Sequence, residues 1–255
     1  MNQIGKVFIE KTKYPFLDIS DQRKGVPAPP LQKSVSKQCK RIDLPPWDEI
    51  RLSTESILDT INQRRSIRSY RDANLSLAEL SYLLWCTQGV QKVFGNLGTL
   101  RTVPSAGARH ALETYLLINH VESLPTGIYR YLSLEHQLAV YHNNPKAASL
   151  FVQACLGQTI IQTCAVAFIW SAIPYRMKWR YGERAYRYIF LDVGHVAQNL
   201  YLSAGAIQCG VCAMAAFSDD DINQLLNLDG DREMVVYLAT VGKKRMENNN
   251  AKNNQ

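Results

Sequence analysis

The spacing of apolar and polar positions changes period several times along the 255 residues, predicting a chain of mixed helices and strands. Ile57, Leu58 and Ile61 share one helical face and place a short helix over 54–63. A second helix opens at Ser76-Leu77-Ala78-Glu79, a capping box in which serine and glutamate satisfy each other's backbone donors. Leu80, Leu83, Leu84 and Val90 continue its apolar face, and Gly89, Gly95 and Gly98 then break the pattern into a loop. Strand-like runs follow at 111–119 and 128–132, the second entered through Pro125-Thr126-Gly127, with 138–141 as its hairpin partner. Residues 146–162 read as helix and 164–171 as a central strand. From Glu183 a long helix runs to about Gly205, with Ile189, Val193, Val196 and Leu200 on one stripe. Phe190, Ala197 and Tyr201 make its other side apolar too, which points to burial in part by a partner subunit. A short helix at 219–226 and a strand at 234–242 close the pattern. The order describes an α+β fold, a sheet covered by helices.

Residues 1–52 carry Pro27, Pro29, Pro30, Pro45 and Pro46 and read as an extended arm that wraps a neighbouring surface. The domain proper is expected at 53–245, and the Asn-rich stretch 246–255 as a disordered tail. The net charge of +7 favours an anionic partner. The basic residues nevertheless fall into separate groups at 64–71, 176–187 and 243–245, which argues against a nucleic-acid stripe. The longest apolar candidate for a membrane span, 188–207, contains Asp192, His195, Gln198 and Asn199, so no span is expected. The first 14 residues lack an apolar secretory core, and the six cysteines show no regular framework. They read as reduced thiols of a cytoplasmic protein.

The candidate chemistry begins at Arg64-Arg65-Ser66-Ile67-Arg68-Ser69-Tyr70, directly after the first helix. Guanidinium groups make paired, charge-assisted bonds to phosphate oxygens, and serine can add a neutral one. Taken alone, the cluster reads equally as a phosphate docking point and as a solvated basic turn. Pro104-Ser105-Ala106-Gly107 is a loop in which backbone amides can approach a flat ligand closely. Val241-Gly242-Lys243-Lys244-Arg245 sets cations straight after a strand, where they could reach the same phosphate. Cys209-Gly210-Val211-Cys212 has the spacing of a redox dithiol but follows a long helix, where a reactive pair is poorly supported. Asp192 and His195 read as a buried helical pair, and no metal site is expected. The Arg- and Tyr-rich run 179–188 resembles a nucleic-acid patch but suits a substrate mouth or a subunit interface better.

Six segments in register resemble the nitroreductase family of FMN-dependent oxidoreductases, and within it the SagB-type dehydrogenase branch. They are Arg-Arg-Ser-Ile-Arg-Ser-Tyr at 64–70, Leu-Ser-Leu-Ala-Glu-Leu at 75–80 and Pro-Ser-Ala-Gly-Ala-Arg at 104–109. Arg-Ala-Tyr-Arg-Tyr at 184–188, Asp-Val-Gly-His-Val-Ala-Gln-Asn-Leu at 192–200 and the closing Val-Gly-Lys-Lys complete the set. The resemblance implies a mostly antiparallel sheet in an intertwined homodimer, with FMN at the subunit interface and NADH or NADPH as co-substrate. It implies that Arg64, Arg65 and Ser66 hold phosphate and ribityl oxygens and that Arg68 sits at the pyrimidine edge of the flavin as the catalytic group. Pro104, Ser105, Ala106, Gly107 and Gly210 would border the flavin, and Lys243 and Arg245 would complete the phosphate site. A fixed cation near flavin N1 stabilises the negative charge that reduction places there. Two departures stand out. Gln208 occupies a position where relatives often carry glycine. Arg180-Tyr181 stands where azoline-oxidising members carry Lys-Tyr, and arginine cannot readily act as a base. The expected activity is transfer of hydride to a small acceptor such as a nitroaromatic or quinone. The alternatives are an azoline-oxidase-like dehydrogenase of a peptide-derived or other natural-product substrate, and a non-catalytic nucleic-acid binder.

Overall fold

The computed structural model describes residues 3–142, 144 and 146–245, so the expected tail at 246–255 lies outside the described residues. In chain order the elements are α1 Ile4–Lys11, β1 Arg41–Asp43, α2 Ile57–Gln63, α3 Leu77–Gln88, β2 Val90–Phe94 and β3 Gly98–Arg101. Next come β4 Leu112–Ile118, β5 Gly127–Leu132, β6 Gln137–His142, α4 Ala147–Ala154, α5 Ile160–Thr163 and β7 Val166–Ala172. The chain then continues through α6 Pro174–Tyr181, α7 Ala185–Ala206, β8 Cys209–Met214, α8 Asp219–Leu225 and β9 Met234–Lys243.

Seven strands form one antiparallel sheet in the order β1-β6-β5-β4-β7-β9-β8. Its central strands β4 and β7 are buried along their whole length. Alternate residues feed opposite faces. Leu116 and Phe168 pack with Leu80 and Leu84 of α3 and Val196 and Leu200 of α7. Tyr115, Leu117 and Ile169 pack with Phe151 of α4, Ile161 of α5 and Ile222 of α8. Helices on both faces explain why β4 and β7 read as continuous apolar runs, although their pairing is antiparallel.

Local chemistry accounts for the element ends. The capping box forms as expected: the Ser76 hydroxyl accepts from Glu79 N–H, and Ser76 N–H donates to the glutamate at 2.9 Å. Helix α2 starts at Ile57 rather than near Thr54 because Ser56 takes the cap and accepts from Asp59 N–H at 3.1 Å. The glycines after α3 do not make a loop. They punctuate the β2–β3 hairpin, with Gly95 in the left-handed region at φ 51° and Val90 already in strand. The helix expected over 146–162 is two helices, broken where Leu156 and Gly157 take φ 56° and 81°. Residues 209–214, to which the periodicity assigns no element, are the edge strand β8.

That edge is covered by the segment 64–71. Ser66 forms a parallel bridge with Val211, Ile67 N–H donates to Val211 C=O at 2.8 Å, and Arg71 N–H donates to Lys243 C=O at 2.9 Å. Gly210 and Gly242 are cross-strand partners, and their missing side chains leave the space that Ile67 and Tyr70 fill. A Cβ on Gly210 would lie 2.7 Å from Ile67 Cβ, and one on Gly242 2.6 Å from Tyr70 Cγ. Tyr70 is buried, with its hydroxyl 2.7 Å from Thr240 Oγ1. Replacing Gly242 by alanine therefore overpacks this seat. Urea unfolding of Gly242→Ala should show a loss of about 1–3 kcal/mol, and unchanged stability would refute the seat.

Candidate functional site

Seating Ile67 and Tyr70 turns the polar members of the same segment outward, beside the end of β9. The result is a cleft of about 910 Å³ lined by Arg65, Ser69, Arg71, Lys243, Lys244 and Arg245. The two basic clusters, 175 residues apart at Tyr70 and Arg245, thus meet. Arg245 Nε donates to Tyr70 C=O at 3.1 Å, which ties the closing cluster to the first one. Lys243 is the exception among the cations, since its ammonium pairs with Glu79 at the start of α3. Among the described residues, Arg64, Arg65, Arg68, Arg71, Lys244 and Arg245 form no salt bridge.

Arg64 caps α2 and lays its guanidinium over the Tyr201 ring of α7, 5.3 Å from the centroid. Ser66 Oγ is 3.0 Å from the Tyr201 hydroxyl, which also accepts from Ala213 N–H at 2.9 Å. Arg65 donates to the Asn62 and Arg64 carbonyls. Arg68 is exposed, and its charge acts on the Cys212 thiol, opposing the rise that burial causes. Gln208 occupies the left-handed region at φ 58°, the conformation a glycine would hold freely, and its amide donates to Glu55 at 2.9 Å. Tyr201, Arg71, Lys244 and Glu79 belong to this surface and were not among the expected site residues. Arg71 and Lys244 sat inside the basic clusters, and Glu79 had been seen only as a cap.

Pro104, Ser105, Ala106 and Gly107 line neither this cleft nor the small pit of about 20 Å³ beside Arg64 and Gly210. The loop instead rests on α7 nearer its start. Ala106 N–H donates to Asp192 Oδ1 at 3.2 Å, and the nearby Ser105 hydroxyl also favours the ionised carboxylate. Nine residues of helix separate Asp192 from Tyr201, about 13–14 Å along the axis. The expected site residues therefore form two groups in one subunit. Arg109 fastens the far end of the loop, donating to Leu97 C=O at 2.7 Å and stacking 4.8 Å from Trp179. Gly107, at φ 59°, lies under the other expected pair: a Cβ there would be 2.5 Å from Tyr181 Oη and 3.0 Å from Arg180 Cδ.

Two further expectations are corrected or resolved by position. Arg184 and Arg187 do not line a substrate mouth; they donate to the Thr12 carbonyl and hydroxyl at 2.9 and 2.6 Å and hold the N-terminal arm. Cys209 and Cys212 face opposite sides of the sheet, one packed with the α7 core and the other with the α8 core. Burial pushes the Cys209 thiol up to about 12, so it is not poised as a nucleophile. Among the described residues no group of three or more His, Cys, Asp or Glu is arranged to hold a metal, and no helix is long and apolar enough to cross a membrane.

The model of the nitroreductase family matches residues 61–243, which span both groups. The chain belongs to the nitroreductase family. A nitroreductase-family protein of Methanocaldococcus jannaschii is 34% identical over 203 residues, covering 80% of this chain and 96% of that one. A trifolitoxin operon protein of Rhizobium leguminosarum is 25% identical, over 75% of this chain and 56% of its own length. Among solved structures, a nitroreductase-family protein of Anabaena variabilis aligns with TM-score 0.66 at 25% identity, over 84% of this chain and 45% of that chain. One from Desulfovibrio desulfuricans, solved in complex with FMN, has TM-score 0.52 at 18% identity, over 75% of this chain and 88% of that chain. As a nitroreductase-family chain, this protein is an oxidoreductase by class.

The carboxylate under the loop of this family member carries a pH signature. Burial raises the Asp192 carboxyl above its ordinary 3.8, against the lowering by Ser105 and Ala106. An acid with a raised folded pKa binds its proton more tightly when folded, so stability falls as pH rises through that window. Asp192→Asn should flatten this part of the stability–pH curve measured by urea unfolding. An identical curve for both proteins would count against the assignment.

Proposed function

We propose that this chain binds FMN and passes hydride from NADH or NADPH to a small organic acceptor such as a nitroaromatic or quinone. The observation that carries the reading is the set of cations without acidic partners, gathered on one cleft beside a serine held by Tyr201. Such a donor set fits a phosphate monoester with a polyol tail. Arg64, Arg65 and Ser66 hold phosphate and ribityl oxygens, with Lys243 and Arg245 as the expected closing pair and Lys244 and Arg71 as additional cations. Arg68 stands at the pyrimidine edge and stabilises negative charge there. When bound, FMN supplies two-electron transfer at N5, and the protein needs no nucleophile or general acid of its own. The loop 104–107 and Gly210 border the ring, with the loop positioned by Asp192.

The functional unit in this proposal is a homodimer, in which the loop of one subunit borders the flavin whose phosphate the other subunit holds. The 13–14 Å offset along α7 supports that division, as do apolar side chains left exposed: Leu58 of α2 at 65%, Leu97 of the hairpin at 70% and Leu191 of α7 at 60%. We assign 1–52 as an arm and 53–245 as the flavin domain of a cytoplasmic enzyme, with no nucleic-acid partner. A second reading, oxidation of a peptide-derived or other natural-product substrate in the manner of SagB-type dehydrogenases, draws support from the trifolitoxin operon relative.

Purified protein should carry flavin absorbance, bleached anaerobically by NADH or NADPH. Bleaching only by a peptide-derived substrate would favour the second reading. Arg64→Ala removes at least one charged hydrogen bond and should weaken FMN binding by about 1.5–3 kcal/mol, roughly 10- to 150-fold in a fluorescence titration. Leu58→Glu should shift the sedimenting species from dimer to monomer with loss of flavin, and an unchanged dimer would place the interface elsewhere.

A further inference from the structure

The two residues standing over Gly107 have a second set of neighbours. Arg180 and Tyr181, with Tyr14, Leu17, Asp18 and Arg23 of the N-terminal arm, line a separate open cleft of about 350 Å³. The arm is held firmly around it. Gln22 N–H donates to Trp179 C=O at 2.8 Å, and Trp179 Nε1 donates to Val26 C=O at 2.8 Å. The Tyr14 and Tyr188 hydroxyls are 3.0 Å apart, and Arg184 covers the Tyr14 ring at 4.6 Å while donating to Thr12. These contacts fix both ends of the stretch that forms the cavity wall, so its order does not await a ligand.

The lining is chemically specific. Arg23 and Arg180 are exposed, and among the described residues neither guanidinium donates a hydrogen bond or joins a salt bridge. Asp18 offsets one of the two charges and leaves one in excess. Tyr14 and Tyr181 add flat apolar surface beside those donors. Two free planar forks next to aromatic faces recognise a carboxylate carried on a ring. A volume of about 350 Å³ sits at the small end of ligand pockets, enough for a single-ring acid and too small for a whole dinucleotide. Tyr181 Oη stands against the Gly107 backbone, so the cavity and the flavin-bordering loop share a wall.

We infer that the N-terminal arm and Arg180-Tyr181 form a substrate subsite that binds the carboxylate end of a ring-bearing organic acid. It rests on the flavin reading only for the reaction that follows, because capture of the acid needs no flavin. The arm is then a specificity element, choosing among acceptors by charge, and Arg180 has traded the basicity of a lysine for a permanent fork.

Isothermal titration of the full-length protein with 4-nitrobenzoate and with its neutral methyl ester tests this directly. The acid should bind at least tenfold more tightly than the ester. Arg23→Ala and Arg180→Ala should each erase most of that preference, leaving the ester unchanged, and Arg23→Lys should restore part of it. Both arginines are exposed, so the variants should keep the wild-type melting temperature. Equal binding of acid and ester, or full acid affinity in both alanine variants, overturns the subsite. So does a loss confined to NADPH affinity. Arginine-dependent acid binding in protein whose flavin is not bleached by NADH or NADPH would sink the proposed hydride transfer and leave the subsite standing.

Discussion

The cationic cleft depends on a steric fit between side chains that carry no charge. Ile67 and Tyr70 occupy the space left by the paired glycines 210 and 242, and together with the backbone bonds to Val211 and Lys243 they fix the register of the segment on the sheet edge. Burying Tyr70 contributes about 1.5–3 kcal/mol, and the half-buried Ile67 adds a smaller share. That is enough to hold several like charges at the protein surface, where solvent and salt weaken their mutual repulsion. The polar residues between the two anchors have no freedom to turn inward. Arg65, Ser66, Arg68, Ser69 and Arg71 face outward because Ile67 and Tyr70 do not.

Helix α7 serves as the frame on which the two groups are measured out. Asp192 takes the amide of Ala106 near the start of the helix, and Tyr201 takes the hydroxyl of Ser66 two and a half turns later. Each contact joins a loop whose own sequence would leave it variable to the longest rigid element in the chain. The exposed apolar residues of α2, the hairpin and α7 give a physical reason for the proposed pairing of subunits. Through Arg184 and Arg187 the same helix also grips the arm. Three regions distant in sequence are thus set relative to one another by one helix.

Much of this was legible in the sequence where periodicity was strong. The capping box at Ser76, the alternating cores of β4 and β7 and the stripe of α7 all follow from local rules. Strand β8 was hidden because Cys-Gly-Val-Cys offers little contrast between faces, and its glycine serves a neighbour rather than a turn. Helix α6, opened by Pro174 and rich in Arg, Lys and Tyr, showed in the sequence only as a basic group because its partners lie in the arm. The break at Leu156 needed a left-handed residue that leucine does not advertise. The cations of the site were visible as charge, but their meeting required a pairing across more than 170 residues. No window of sequence contains that information.

The strand order has a consequence for how the molecule comes into being. Among the described residues, strand β9 is the last in sequence, yet it lies between β7 and β8, and β8 has no other strand partner. During synthesis the edge that receives Ile67 is therefore missing until residue 243 has left the ribosome. The basic segment, made long before, waits without a surface to rest on. The cationic cleft takes shape only once β9 is in place, and a chain cut short before β9 has no such surface to offer.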